Sequence, residues 1–210
     1  MGTPKKESRV TRRQKRNRLA LIEAGREVMS KKGIDAATMQ EIADAADLGA
    51  GTIYSYFRSK EDLAIAVIES LMSNLAVRIE QVTNTFNDPA RVYAYGIRTV
   101  LNTACQDERW KQLLYRSEVI SKAIYSCFGP FAIRDLDNAS KAGRFQIANT
   151  DLNWRLTSYA IVGVAIAITS GELPQDSIDQ AVIRFLCMAG LEEQQAMELA
   201  NLPCPPLAPE

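Results

Sequence analysis

A chain of 210 residues is long enough for one good-sized core, or for a small domain joined to a larger one. Apolar residues make up 47% and charged residues 24%, which excludes a chain disordered along most of its length. The formal net charge of zero is a cancellation: residues 1–60 hold 13 Lys and Arg against 7 Asp and Glu, and residues 61–210 hold 12 against 18. A basic front of this kind suits a polyanion such as nucleic acid, because each neutralised phosphate releases counterions.

Eight basic residues crowd the first eighteen positions (Lys5, Lys6, Arg9, Arg12, Arg13, Lys15, Arg16, Arg18), opposed only by Glu7. Residues 1–14 are expected to form a basic, flexible arm. A first helix follows over roughly 11–32, with an apolar side of Leu19, Ile22, Val28 and Met29 and with Gly33 where a C-terminal cap belongs. Thr38-Met39-Gln40-Glu41 has the spacing of a capping box, so a short helix starts at Thr38 and stops near Ala46. Asp47-Leu48-Gly49 then supplies a turn residue, an apolar plug and a glycine. A second short helix is predicted over 50–57, and Ser59-Lys60-Glu61-Asp62 reads as the capped start of a third.

That third helix carries Leu63, Val67, Leu71, Leu75, Ile79, Val82 and Phe86 at spacings of three and four until Asn87-Asp88-Pro89 stops it. Further helices are predicted over 90–105, 108–126, 130–142, 152–170, 177–190 and 192–202. The proline-rich residues 203–210 are expected to be disordered. Period-2 alternation and hairpin turns are scarce, so the class is all-α. The expected organisation is an N-terminal three-helix bundle with a helix-turn-helix at 15–62 and a larger helical domain at 63–202.

Cys105, Cys127, Cys187 and Cys204 are widely spaced, and the chain has no histidine, so no metal site and no cofactor are expected. The cysteines read as free thiols in a reducing cytoplasm, with Cys105, Cys127 and Cys187 buried. The longest apolar run, 160–168, is about half of what a membrane span needs, and no membrane association is expected. Without histidine, a glycine-rich phosphate loop or metal-ligand spacing, an enzyme has little chemistry to work with. A helical module whose basic segment binds RNA or a membrane surface is the other alternative, but it leaves the uncharged 50–56 segment unexplained.

Two short helices joined by a turn of about three residues, packed on a preceding helix, make a helix-turn-helix, whose second helix fits the major groove. Ile53 and Phe57 face inward, leaving Ala50, Gly51, Thr52, Tyr54, Ser55 and Tyr56 for the outer face and ends. Such a face is small and hydroxylated, able to approach a groove closely and to donate to phosphates or base edges. Tyr54 and Tyr56 could equally pack within the domain.

The run from Thr38 to Ala43 and the run Ala46 to Leu63, with its Tyr-x-Tyr-Phe-x-Ser-Lys-Glu-x-Leu stretch, resemble the N-terminal signature of the TetR/AcrR family of repressors. The resemblance implies that Thr38 caps its helix against a phosphate, that Gly51, Thr52 and Tyr54 meet the groove of a double-stranded operator, and that Tyr56 and Lys60 hold phosphates. Asp47 stands where the family usually has glycine, and Gly49 where it often has serine, which weakens a cap. Arg9, Arg12 and Arg13 are expected to reach the minor groove or flanking phosphates, as arms of some helix-turn-helix proteins do.

The resemblance further implies a homodimer built on the last two long helices, with Tyr159, Gly163, Ala167, Ile178, Val182 and Phe185 at the interface and a near-palindromic site. It implies as well a pocket for a small, largely apolar effector of unknown identity, with Tyr95, Trp110, Tyr115, Arg116, Phe128, Phe131 and Trp154 as candidate lining. Effector would release repressor from operator through the connecting helix 60–86, with a coupling of about 100-fold.

Overall fold

The computed structural model describes residues 8–107 and 117–208. Among these the regular elements are α-helices, with no strand. They are α1 (Arg9–Lys32), α2 (Met39–Ala45), α3 (Ala50–Ile53), α4 (Lys60–Thr83), α5 (Pro89–Gln106), α6 (Ser117–Lys141), α7 (Thr150–Thr169), α8 (Ser177–Met188) and α9 (Glu193–Ala200). The chain divides into two compact units, residues 1–70 and 71–210, and α4 contributes to both.

The first unit holds α1 to α3 and the start of α4. Helix α1 begins earlier than its apolar pattern suggests, because the Ser8 hydroxyl accepts from the Thr11 amide at 3.1 Å. Residues 9–14, expected in a flexible arm, are therefore helical. Leu19 is exposed, and the buried stripe is Leu21, Ile22, Gly25 and Met29. At Gly25 a methyl group would stand 3.1 Å from Val67, so the absence of a side chain is what brings α4 close to α1. Gly33 closes α1 at φ +83°, its amide donating to the Met29 carbonyl. The core between these helices is Ile42, Ile53, Phe57 and Leu63.

In the second unit α5 is central, packed against α6, α7, α8 and α9. Asp88 caps it, accepting from the Ala90 amide at 3.0 Å, with Pro89 at its first position, where a missing N–H costs nothing. Helix α4 stops at Thr83 rather than Phe86, and residues 84–88 form the link.

Pro130 does not start a new helix. It lies inside α6, although proline removes a helical donor and crowds the carbonyl four residues back. The Tyr125 carbonyl, one residue before the Ser126 carbonyl that proline deprives of its donor, accepts from Trp154 Nε1 at 3.1 Å, so an indole from α7 anchors the turn that precedes the proline. Gly129 leaves room for that ring, since a Cβ there would sit 3.3 Å from the same nitrogen.

Residues 203–208 are not loose either. The Pro205 carbonyl accepts from Tyr95 Oη at 2.8 Å and the Ala208 carbonyl accepts from Arg78 Nε at 2.8 Å. Prolines exclude a helix but leave every carbonyl free to accept, and α4 and α5 supply the donors. Cys105 is buried, Cys127 and Cys187 are half-buried and Cys204 is exposed; all four are free thiols.

Helix α7 is long and apolar enough, by length and composition alone, to cross a membrane, and less than half of it is buried within the chain. Its uncovered side shows Leu152, Leu156 and Tyr159, each just over half exposed, followed by Gly163. Among the described residues no helix lies over that side.

Candidate nucleic-acid interface and ligand cavity

The turn from α2 into α3 is set by local chemistry. The Thr38 hydroxyl accepts from the Glu41 amide at 3.2 Å while the Glu41 carboxylate accepts from the Thr38 amide at 3.2 Å, the reciprocal pair that the sequence spacing predicts. Lys32 adds an ion pair, and this ammonium first, then Thr38, holds the Glu41 carboxyl below its ordinary pKa. Asp47 takes φ +53°, a left-handed conformation that aspartate tolerates better than most side chains. Leu48 plugs the turn only partly, being half-buried.

Gly49 caps α3 without a side-chain bond, as its lack of a hydroxyl dictates. Helix α3 is one turn long, shorter than the 50–57 span. Beyond Ile53 the backbone tightens, with the Ser55 amide donating to Thr52 O and the Tyr56 amide to Ile53 O, both at 3.0 Å. Ile53 and Phe57 are buried, which turns Gly51, Tyr54 and Ser55 outward and leaves Ala50, Thr52 and Tyr56 half-buried. Tyr54 is 59% exposed, so it does not pack within the domain. The Ser55 hydroxyl donates to Thr52 O at 2.6 Å. At Gly51 an added Cβ would meet nothing within 4 Å.

Cationic groups of the same unit lie beside Phe57, at the start of α4 and along α1. Lys60, at the start of α4, donates from Nζ to the Asp35 carbonyl at 2.6 Å, which fixes one of its three donors and leaves the ammonium facing solvent in part. No sequence signal marks that backbone anchor. The Arg18 guanidinium lies 5.2 Å from the centroid of the Phe57 ring, a cation–π contact likewise absent from the sequence pattern. Arg9, Arg12, Arg13 and Arg16 are all exposed on α1, and their spacing of three, one and three places them on one side of the helix.

In the second unit a half-open, mostly apolar cavity of about 40 Å³ lies between α4, α5, α6 and α7. Tyr93, Phe128, Phe131 and Trp154 supply aromatic walls, with Ile79, Ile97 and Val100 between them. Its polar lining is Glu80, Thr83 and Asp135, next to Tyr93, whose hydroxyl donates to Thr157 Oγ1 at 3.3 Å. Burial is the main reason that the Asp135 carboxyl and the Tyr93 hydroxyl both have raised pKa values. Among these lining residues there is no cation. Arg134 stands at the mouth, in the surface groove that shares Glu80, Thr83 and Asp135 with the cavity.

Of the expected pocket residues, Phe128, Phe131 and Trp154 do meet. Tyr95 does not: two residues along a helix is about 200° of rotation, so Tyr93 faces the cavity while Tyr95 turns away to Pro205 and to the edge of Phe86, 5.5 Å off. Trp110, Tyr115 and Arg116 lie outside the described residues. Among the expected dimer residues, Tyr159 and Gly163 are exposed and Ala167 half-buried on α7, whereas Ile178, Val182 and Phe185 are buried inside the chain. Helix α8 turns that face toward α5 and α9, so these three belong to the protomer's own core.

Residues 21–67 match the family described as bacterial regulatory proteins, tetR family, and residues 88–202 match the tetracyclin repressor-like C-terminal domain. The chain superposes on the structure of RolR in complex with resorcinol at a TM-score of 0.83, with 29% identity over 93% of this chain and 100% of that one. The HTH-type transcriptional activator FasR of Mycolicibacterium smegmatis is 26% identical over 121 residues, 58% of this chain and 54% of FasR. The repressor KstR2 of the same organism is 29% identical over 69 residues, 33% of this chain and 34% of KstR2. The match thus spans about half the length of the first of these regulators and a third of the second.

Proposed function

The chain belongs to the TetR family of bacterial transcriptional regulators, and from that premise we propose that it is a cytoplasmic, homodimeric repressor released from a palindromic operator by a small hydroxylated aromatic compound. DNA binding by the first unit is supported above all by one observation, the outward, uncharged surface of Gly51, Thr52, Tyr54 and Ser55 in the same unit as those cations. In this reading Thr38, Ala50, Tyr56 and Lys60 hold the sugar-phosphate backbone around the half-site, and Gly51, Thr52 and Tyr54 meet base edges.

Because Arg12 and Arg13 project from a helix, they bind flanking phosphates in this reading rather than threading the minor groove as a flexible arm. The double substitution to glutamine should lower the slope of log affinity against log salt by about two, with little change in sequence preference. An unchanged slope would place both side chains off the DNA.

The uncovered side of α7 supports the dimer in this reading. Leu152, Leu156, Tyr159, Gly163 and Ala167 form an apolar stripe that a second copy buries about a twofold axis, with Gly163 and Ala167 permitting close helix approach. A helix whose composition would suit a membrane is thereby accounted for by protein on both sides.

For the effector, the cavity favours an aromatic ring by its walls and a neutral hydrogen-bond donor by its polar lining, since Glu80 and Asp135 accept and no cation stands among the described lining residues; at about 40 Å³ it must widen to admit a ring. Resorcinol in the RolR structure has this chemistry. Selection of bound fragments from a random DNA pool, followed by competition with resorcinol, tests the whole reading. An enriched palindrome whose complex dissociates with resorcinol, together with rising transcription from a reporter carrying that palindrome, is expected. No enrichment would overturn it, and a reporter silenced by removing the protein would favour an activator of the FasR kind.

A further inference from the structure

Arg134 lines the surface groove beside the cavity, and its guanidinium engages two carboxylates that line both. It forms a two-pronged bond with Glu80 of α4, 2.7 Å to Oε1 and 3.1 Å to Oε2. On its other side, Nε and a terminal nitrogen reach Asp135 Oδ1 at 2.9 and 2.8 Å. It also lies 5.7 Å from the centroid of the Phe131 ring, itself a cavity wall. The pair is partly withdrawn from solvent, and the fork requires both Glu80 oxygens in the guanidinium plane, which makes it more directional than an ordinary surface ion pair.

We propose that Arg134 and Glu80 form a latch that holds α4 against α6 in the operator-binding state, and that a donor hydroxyl in the cavity opens it by drawing the Glu80 carboxylate out of that plane. The idea rests on the effector reading above and adds how occupancy is sensed. Three observations converge. Glu80 lines the cavity and the latch at once, so a ligand donor that engages it shares the carboxylate with the fork and competes for its orientation. Asp135, the second carboxylate on Arg134, lines the cavity too, so both anchors of the guanidinium face the ligand. And Glu80 sits on the helix that begins at Lys60, with Ala76, Ile79 and Thr83 of the same helix also on the cavity wall, so a shift at the latch moves an element that runs into the first unit. Arg134 is a positioning residue here and touches no DNA.

The test uses the full-length protein, its selected operator and resorcinol as probe. Arg134→Gln should weaken operator binding about tenfold without ligand, and should shrink the resorcinol-induced loss of affinity from about 100-fold to about tenfold or less. Calorimetric binding of resorcinol to the DNA-free variant should be retained, a readout that a merely unfolded cavity would fail. The exchange Glu80→Arg with Arg134→Glu, which rebuilds the pair with reversed polarity and leaves Asp135 to the new arginine, should recover ligand-free operator affinity to within about threefold. Unchanged operator affinity in Arg134→Gln, or no recovery in the exchange variant, overturns the latch. If resorcinol fails to bind the unaltered protein while both operator results hold, the latch stands and the assigned ligand class is what falls.

Discussion

Gly51→Glu is expected to abolish operator binding while leaving the protein as stable as before, or slightly more so. The position is open, with nothing within 4 Å of where a Cβ would stand, so a longer side chain displaces no neighbour. Glycine inside a helix costs roughly 0.5–1 kcal/mol relative to a residue with a side chain, and a carboxylate in the first turn of α3 meets the positive end of the helix. Both effects push the melting temperature up or leave it level. On DNA the same carboxylate would be buried without a cation, beside phosphates and acceptor-rich base edges. An unpaired charge at such an interface costs about 2–5 kcal/mol, and a dimer incurs it at both half-sites. Operator binding should fall to the non-specific level in a fluorescence titration, whereas Gly51→Ala should lose far less. A Gly51→Glu protein that bound its operator normally would remove α3 from the groove.

Leu156→Asp should convert the protein to monomers at micromolar concentration and lower operator affinity at least ~100-fold. Leu156 is 51% exposed within the chain, between Leu152 and Tyr159 of like exposure, so the protomer loses little when it becomes polar. About a twofold axis, however, each substitution enters the interface twice, and a carboxylate desolvated against apolar groups has no partner there. A monomer offers one recognition element where the operator has two, so the second half-site's contribution is lost. Sedimentation should show half the mass with an unaltered helical spectrum. A persistent dimer would mean that copies associate through another surface.

What the sequence disclosed and what it hid divide along the range of the forces involved. The capping box at Thr38, the turn at Asp47 and the cap at Gly33 depend on partners within four residues, so spacing alone announces them. The buried side of α8 shows the opposite case. Periodicity marks Ile178, Val182 and Phe185 as one apolar face, but it is silent on whether that face meets its own chain or a copy, and that depends on α5, some seventy residues earlier in the chain, together with the adjoining α9. Pro130 reads by a local rule as the start of a new helix, yet α6 runs through it, and the turn before it is held by Trp154, 29 positions from the Tyr125 carbonyl that it bonds. The tail hid for the same reason, since its acceptors find Tyr95 and Arg78 more than a hundred residues away. Choosing Tyr95 over Tyr93 for the cavity was a matter of helical phase, which an aromatic-rich stretch does not reveal.

The DNA-facing half separates two tasks by placing them on different helices. Cationic side chains gather on α1, at Arg58 and at Lys60, while α3 and the tightened turn after it carry only small, hydroxylated or aromatic groups. Under the DNA-binding reading proposed above, strength of adhesion and choice of address have separate adjusters. Replacing an arginine on α1 is then expected to change occupancy at a given salt level and leave sequence preference alone, and a change at Thr52 or Tyr54 is expected to do the reverse.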